Sequence, residues 1–195
     1  MNHSAAAVLH WPVTFDKTPE LLIVGVPTPD TSLRSTARQI VREVLREILG
    51  QVELISVPGQ PIQIAGTDRR IGISVSHESG LSLVAINYSG PIGVDLLRVP
   101  ASPLPEEEIA VLARDYLGPD SARRIAELPA SAQLMQFAQD WAKHEASLKC
   151  LGLGLEEWST ALAEKLLPCR TQKLALPAGY TGAMATLKED ESPNA

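Results

Sequence analysis

Residues 141 to 149 read Trp-Ala-Lys-His-Glu-Ala-Ser-Leu-Lys and set a carboxylate where a helix ought to be apolar. Leu134, Phe137, Ala138, Trp141 and Leu148 recur at helical spacing and mark one core-facing side. Glu145 comes seven residues after Ala138 and four after Trp141, so it lies on that side or at its edge. An inward carboxylate is costly unless it is hydrogen-bonded or bound to a cation. Lys149 follows four residues later, the favoured orientation for a helix ion pair worth about 0.3–0.5 kcal/mol when exposed, so a plain surface pair is the alternative reading.

A second carboxylate, Asp95, stands inside the run Ile92-Gly93-Val94-Asp95-Leu96-Leu97. Strand alternation puts Ile92, Val94 and Leu96 on one face and Gly93, Asp95 and Leu97 on the other, and Gly93 leaves room for a close approach of backbone. The plainer reading is a strand-end aspartate opening a turn. If Asp95 and Glu145 converge, they present the hard oxygen ligands that Mg²⁺ takes, one or two carboxylates completed by water and substrate phosphates.

Ser76 and His77 lie in Ser-Val-Ser-His-Glu-Ser-Gly. A serine hydrolase is a poor fit, because neighbouring strand residues point to opposite faces and the Gly-x-Ser-x-Gly elbow is absent. His77 reads equally as a strand-end histidine and as an anion ligand. Arg34, Arg38, Arg42 and Arg46 recur every four residues. That is a solvated face balanced by Glu43 and Glu47, and also one able to grip phosphates.

These side chains need elements to hold them. Strands are expected at Ala-Ala-Val-Leu-His-Trp-Pro-Val from residue 6 and at Leu-Leu-Ile-Val-Gly-Val from residue 21, then a helix over 32–49 carrying Leu33, Ala37, Ile40, Val41, Val44, Leu45 and Ile48, closed by Gly50. Residues 52–57 suggest a further strand. The runs 71–77, 81–88 and 91–97 suggest antiparallel strands, the second and third joined as a hairpin. Pro100, Pro103 and Pro105 interrupt regular pairing and mark a joint between halves. Helices follow at 106–117 and 121–128, then a long one from Ser131, a plausible N-cap, to Leu151, with Gly152 as its stop. Two short strand-like runs lie within 173–187, and the tail 188–195 is polar enough to be disordered. The division expected is an N-terminal half, 1–91, and a C-terminal half, 92–187.

Composition narrows the function. The chain of 195 residues is 45% apolar, as in ordinary globular proteins, and its formal charge of −6 argues against general nucleic-acid binding. The apolar runs are shorter than the roughly 20 residues a bilayer span requires, and the start lacks a basic n-region, so a cytoplasmic protein without membrane association is expected. Cys150 and Cys169 have neither metal-ligand spacing nor the density of a secreted scaffold and read as reduced thiols.

Together and in this order, the motifs resemble those of the 4′-phosphopantetheinyl transferases: Gly93-Val94-Asp95 on a strand and Trp141-Ala142-Lys143-His144-Glu145-Ala146-Ser147-Leu148-Lys149 on a helix, followed by Cys150-Leu151-Gly152-Leu153-Gly154-Leu155. Residues 73–86 resemble the family's Ser-His segment, 37–50 its Arg-bearing first helix and 179–187 its last strand, so the likeness runs from about residue 37 to 187. The resemblance implies an α+β fold with a pseudo-twofold arrangement of two similar halves, each a small antiparallel sheet packed on a long helix, with the site between them.

The resemblance also implies Mg²⁺-dependent transfer of phosphopantetheine from coenzyme A to a serine of an apo acyl or peptidyl carrier protein, releasing 3′,5′-ADP. The type implied is the longer, two-halved one that serves peptide and polyketide synthases of secondary metabolism, with a monomer able to complete its own site. By the matched positions, Asp95 and Glu145 would hold the metal and Glu145 would also act as general base. Lys149 would neutralise the diphosphate as a catalytic and coenzyme-binding group, and Arg38, Ser76 and His77 would hold the 3′-phosphate end.

Three positions depart from the pattern. Leu97 stands where larger members have a second acid, His144 replaces the lysine before the motif glutamate, and Gln60 stands where a Gly-Lys-Pro lysine is common. They motivate the alternative of a catalytically impaired relative that binds coenzyme A or a carrier protein as a regulatory or assembly partner.

Overall fold

The computed structural model describes residues 5–12, 19–30, 34–57, 60–66, 71–99 and 105–188. Leu33, Pro100, Pro103 and the tail after Lys188 lie outside the described residues, and with them the expected start of the first helix, most of the proline-rich joint and the proposed disordered end.

In chain order the elements are β1 (Leu9–His10), β2 (Leu21–Pro27), helix α1 (Arg34–Leu49), β3 (Leu54–Ile55), β4 (Gln63–Ile64), β5 (Gly72–Glu78), β6 (Leu81–Asn87) and β7 (Ile92–Arg98). Then come α2 (Glu106–Leu112), continued by a π-helical turn Ala113–Leu117, α3 (Pro119–Ala126), α4 (Ala130–Leu151), α5 (Thr160–Leu166), β8 (Cys169–Lys173) and β9 (Tyr180–Leu187). The first sheet has the order β1-β2-β6-β5, the second β7-β9-β8, and β3 with β4 makes a separate short pair.

Alternation along the strands builds an α+β sandwich of four layers. Val41, Val44 and Leu45 of α1 pack on Leu22, Val24 and Val26 of β2, Val84 and Ile86 of β6 and Ile73 of β5. Residues of opposite parity in the same sheet, Ile23, Leu83 and Ala85, meet Ile92, Val94 and Leu96 of β7 and Met184 of β9. The far side of the second sheet takes α4, where Ala142, Ala146 and Cys150 cover Ala183 and Ala185. The order is therefore helix, sheet, sheet, helix, with one apolar core shared between the sheets. A satellite core of Ile109, Ala113, Ile125 and Phe137 seats α2 and α3 on the first half of α4, with Trp141 set edge-on to Tyr116 at 5.5 Å.

Several expectations are corrected. The hairpin joins β5 to β6, whereas β7 leaves that sheet and pairs antiparallel with β9. The cause lies in β7 itself, since Ile92, Gly93, Val94, Asp95 and Leu96 are buried on both faces and need cover from two sides. The strand expected at 52–57 is only Leu54–Ile55, the N-terminal one only Leu9–His10, and the first strand of the 173–187 region begins earlier, at Cys169. Helix α4 starts at Ala130 with Pro129 at its N-cap and no side-chain cap, so Ser131 lies inside the first turn. Gly152 ends it in the left-handed conformation, φ 66°, with the Leu153 N–H closing on Leu148 C=O at 2.9 Å. Helix α5, capped by the Ser159 side chain, was not anticipated.

The small residues of α4 let its backbone touch the sheet. A Cβ placed on Gly93 would lie 1.8 Å from Ala146 O and 2.5 Å from Cys150 N. Both obstacles are helix backbone, which cannot swing aside as a flexible side chain would. Gly93→Ala is therefore expected to lower stability by about 3 kcal/mol or more, read from urea unfolding, with the helix-rich circular dichroism of the native state lost at a lower midpoint.

Candidate active site

Lys149 crosses the seam between the two layers it borders. Its Nζ donates to Asp95 Oδ1 at 2.6 Å, to Val94 C=O at 3.2 Å and to Ser76 Oγ at 3.5 Å, one acceptor for each ammonium proton. Asp95 is 6% exposed, so it is a mid-strand buried carboxylate, not one opening a turn. Ser76 donates its hydroxyl proton to the same Oδ1 at 3.0 Å and accepts the Leu96 N–H at 3.2 Å, while Ser74 Oγ accepts the Val94 N–H at 3.0 Å.

Glu145 is half-buried at the edge of this cluster. It does not form the surface ion pair with Lys149 that their spacing allows, because Lys149 turns to Asp95 instead. Among the described residues no hydrogen bond or ion pair reaches its carboxylate. Burial raises its pKa above the ordinary value, the Asp95 charge raises it further, and Lys149 pulls it partway back. Asp95 and Glu145 thus sense each other across the seam. Glu145 and Lys149 line a cleft of about 290 Å³ with Gln60, Ile73, Val75 and Leu153. Pro61 closes the cleft onto the end of α4, 3.6 Å from the Cβ position of Gly152.

The donor set suits a hard divalent cation. Among the described residues two carboxylates are present, one of them without a protein partner, and no third His, Cys, Asp or Glu joins them. Mg²⁺ bound through one or two carboxylates takes its other oxygens from water and substrate phosphate, so the residues present fit that group.

Ser76 and His77 part company. Ile73 and Val75 pack toward the α1 core, and His77, two residues on, shares that face while Ser76 faces β7. His77 Nδ1 shares a hydrogen bond of 2.8 Å with Ser82 Oγ, which is 3.3 Å from Thr28 Oγ1. Its pKa is lowered to about 4, first by burial and then by Arg38, Arg34 and Lys149. Arg38 is exposed on α1 within electrostatic reach of His77. The structure therefore joins Asp95, Lys149 and Ser76 by hydrogen bonds, sets Glu145 within electrostatic reach of Asp95 and Lys149, and leaves a neutral His77 on the opposite face within reach of the Arg38 and Arg34 charges.

The departures also find places. Leu97 shares the α4-facing side of β7 with Asp95, packed against Ala142, Ala146 and Cys150. Gln60 lines the cleft. His144 is turned about 100° around the helix from Glu145, its pKa lowered by burial and its Nε2 enclosed without a partner among the described residues. Ser74 was missed; its signal was the Ser-x-Ser alternation in the strand Gly-Ile-Ser-Val-Ser-His-Glu.

No protein-family model matches the chain. A curated relative, the 4′-phosphopantetheinyl transferase HetI of Nostoc sp. (strain PCC 7120 / SAG 25.82 / UTEX 2576), is 34% identical over 94 residues. The match takes in 46% of this chain and spans only 37% of the relative's length. It supports the superfamily that the motifs resemble. Among the described residues no helix is long and apolar enough to cross a membrane.

His77 offers a direct pH test. Its folded pKa of about 4 lies below the ordinary 6.5, so between those values the unfolded chain binds the extra proton. The stability this contributes is fully present above pH 6.5 and is lost as pH falls through about 4. Urea midpoints should drop from pH 7 to pH 4.5, less so in His77→Gln. In NMR titrations the imidazole should stay neutral at pH 5.5, and a bound phosphate beside Arg38 should move its titration upward.

Proposed function

We propose that this chain is a 4′-phosphopantetheinyl transferase that moves phosphopantetheine from coenzyme A to a serine of an apo acyl or peptidyl carrier protein. The observation that supports the reading is Lys149, which lines the cleft beside Glu145 and donates to Asp95 Oδ1 at 2.6 Å, linking the two motif carboxylates. The helix, sheet, sheet, helix order supports the family's pseudo-twofold arrangement, with a seam site that a monomer could complete. The partial likeness to a transferase supports phosphopantetheinyl transfer in general; the longer, two-halved type, acting in the cytoplasm on synthases of secondary metabolism, is what the motif resemblance implies.

In this reading the carrier serine oxygen attacks the β-phosphorus of coenzyme A. The bond from that phosphorus to the bridging oxygen breaks, and 3′,5′-ADP leaves with the bond's electron pair. Asp95 and Glu145 would hold Mg²⁺, which supplies neutralisation of the diphosphate. Glu145, whose carboxylate has no protein partner among the described residues, takes the serine proton directly or through water, and the upward direction of its pKa, set first by burial, strengthens it as a base. Lys149, which lines the cleft and pairs with Asp95 Oδ1 at 2.6 Å, would shift to the leaving diphosphate oxygen, where charge grows as the bond breaks. Arg38 and His77 would meet the 3′-phosphate, a role supported by the Arg38 and Arg34 charges that reach His77.

The second reading is a coenzyme A or carrier-binding relative without transfer. It draws on Gln60, a neutral side chain at a cleft meant for phosphates.

Incubation with Mg²⁺, coenzyme A and a panel of apo carrier proteins, followed by mass spectrometry, separates the two. A phosphopantetheine adduct is expected, falling at least about a hundredfold in Glu145→Gln. Coenzyme A binding with no adduct on any carrier would instead support the second reading. Because Leu97 shares the Asp95 side of β7, Leu97→Glu should lower the Mg²⁺ concentration needed for half-maximal rate or leave it unchanged. A rise would mean that position 97 is not beside the metal.

A further inference from the structure

Strands β5 and β7 lie side by side without a backbone ladder, and two serine hydroxyls take its place. Ser74 and Ser76 recur at the strand period and accept the N–H groups of Val94 and Leu96, which recur at the same period on β7. β7 gives its other edge to β9, so these N–H groups would be buried and unpaired without the serines. Up to this point the two hydroxyls are equivalent.

Their protons make them different. Ser76 donates to Asp95 Oδ1, whereas among the described residues no carboxylate accepts from Ser74. The Ser76 oxygen accepts from Leu96 N–H and Lys149 Nζ while its proton goes to Asp95, which uses both its lone pairs and its one donor. A hydroxyl so committed has nothing left for a nucleotide phosphate. On the carboxylate, Oδ1 takes both the Ser76 and the Lys149 protons. Among the described residues Oδ2 takes none, and it is not one of the enclosed unpartnered atoms, which are His144 Nε2 and Thr181 Oγ1.

We propose that Ser76 is a positioning residue for the metal: it pins Asp95 through Oδ1, turns Oδ2 outward as the ligand oxygen, and makes no contact with coenzyme A. The inference rests on the reading of Asp95 as a metal carboxylate. Partners that orient a ligating carboxylate typically change metal affinity by about 10- to 100-fold when removed. Lys149 can leave Oδ1 when a diphosphate arrives; Ser76 cannot, because Leu96 N–H holds its oxygen in place.

The test compares Ser76→Ala, Ser74→Ala and Asp95→Asn. Mn²⁺ affinity is measured by electron paramagnetic resonance, alone and with saturating coenzyme A, and coenzyme A affinity by calorimetry in EDTA. Ser76→Ala should weaken Mn²⁺ binding about tenfold or more and leave coenzyme A binding in EDTA unchanged. Ser74→Ala loses the same kind of backbone bond, so its melting temperature should fall while Mn²⁺ affinity stays at the wild-type value. Should Ser76→Ala fail to fold, Ser76→Cys keeps the size with a weaker donor and should give an intermediate Mn²⁺ affinity. Wild-type Mn²⁺ affinity in the position 76 variant, or a loss of coenzyme A binding in EDTA, overturns the proposal and returns Ser76 to the nucleotide. Mn²⁺ binding that survives Asp95→Asn overturns the metal reading itself, a failure distinct from that of Ser76.

Discussion

The packing of α4 against β7 is backbone on backbone, and the candidate site depends on it. Where Gly93 lacks a side chain, the carbonyl of Ala146 and the amide of Cys150 come to within van der Waals reach of the strand. That spacing is what lets a lysine on the helix reach a carboxylate on the strand next to it, with Lys149 Nζ 2.6 Å from Asp95 Oδ1. A larger residue at 93 would lift the helix and take both Glu145 and Lys149 away from Asp95 together. Ala142, Ala146, Ala183 and Ala185 extend the same close contact on either side, so the site is held by a stripe of small residues and not by a single one.

The shared core between the sheets does the second part of the positioning. β7 buries Ile92, Val94 and Leu96 against β6 and β2 on one side and offers Gly93, Asp95 and Leu97 to α4 on the other. A strand enclosed on both faces has little freedom to slip, since a shift of one residue would send Asp95 into the apolar core and Val94 to the cleft. Tyr180, at the start of β9, donates its hydroxyl to Ser79 C=O in the β5–β6 turn at 2.5 Å and ties the sheets together at a separate point. Gly80 in that turn has φ 85°, and a Cβ there would stand 2.8 Å from the Tyr180 hydroxyl, so the turn is shaped for this contact.

Much of this was legible in the sequence wherever a period was unambiguous. The apolar positions of α1 and α4 place both long helices to within a few residues, and alternation in 92–97 puts Asp95 on the side opposite Val94. The strand partners were not legible. Adjacency along the chain favours a hairpin between 81–88 and 91–97, but nothing local says that β7 crosses to another sheet, because its partner β9 lies some ninety residues on. The same limit hid the role of Ser76. Its neighbour His77 suggested a phosphate site for both, yet alternation sends them to opposite faces, and only the position of β7 shows which face holds Asp95. The destination of Lys149 was hidden as well, since a helix pair with Glu145 and a cross-seam pair with Asp95 give the same spacing.

Charge compensation links these features. A carboxylate as enclosed as Asp95 needs a cation or several donors beside it in every state the protein occupies, and stripping away its partner would cost about 3–5 kcal/mol. In this structure Lys149 supplies the positive charge and Ser76 a second donor, both to one oxygen. Glu145 takes a hydrogen bond from neither, and its pKa is raised by burial and then by the Asp95 charge, with Lys149 offsetting part of the rise. Among the described residues the cluster therefore holds two acidic groups against one nearby cation, an imbalance that a divalent ion or a basic ligand would correct. Leu97 fits this balance: a third acid on the same side of β7 would deepen the deficit before any ligand arrived, whereas leucine packs against Ala142 and Ala146 and adds none. The site's acidity is thus limited to what Lys149 and one incoming cation can neutralise, which explains how the fold tolerates buried carboxylates at its seam.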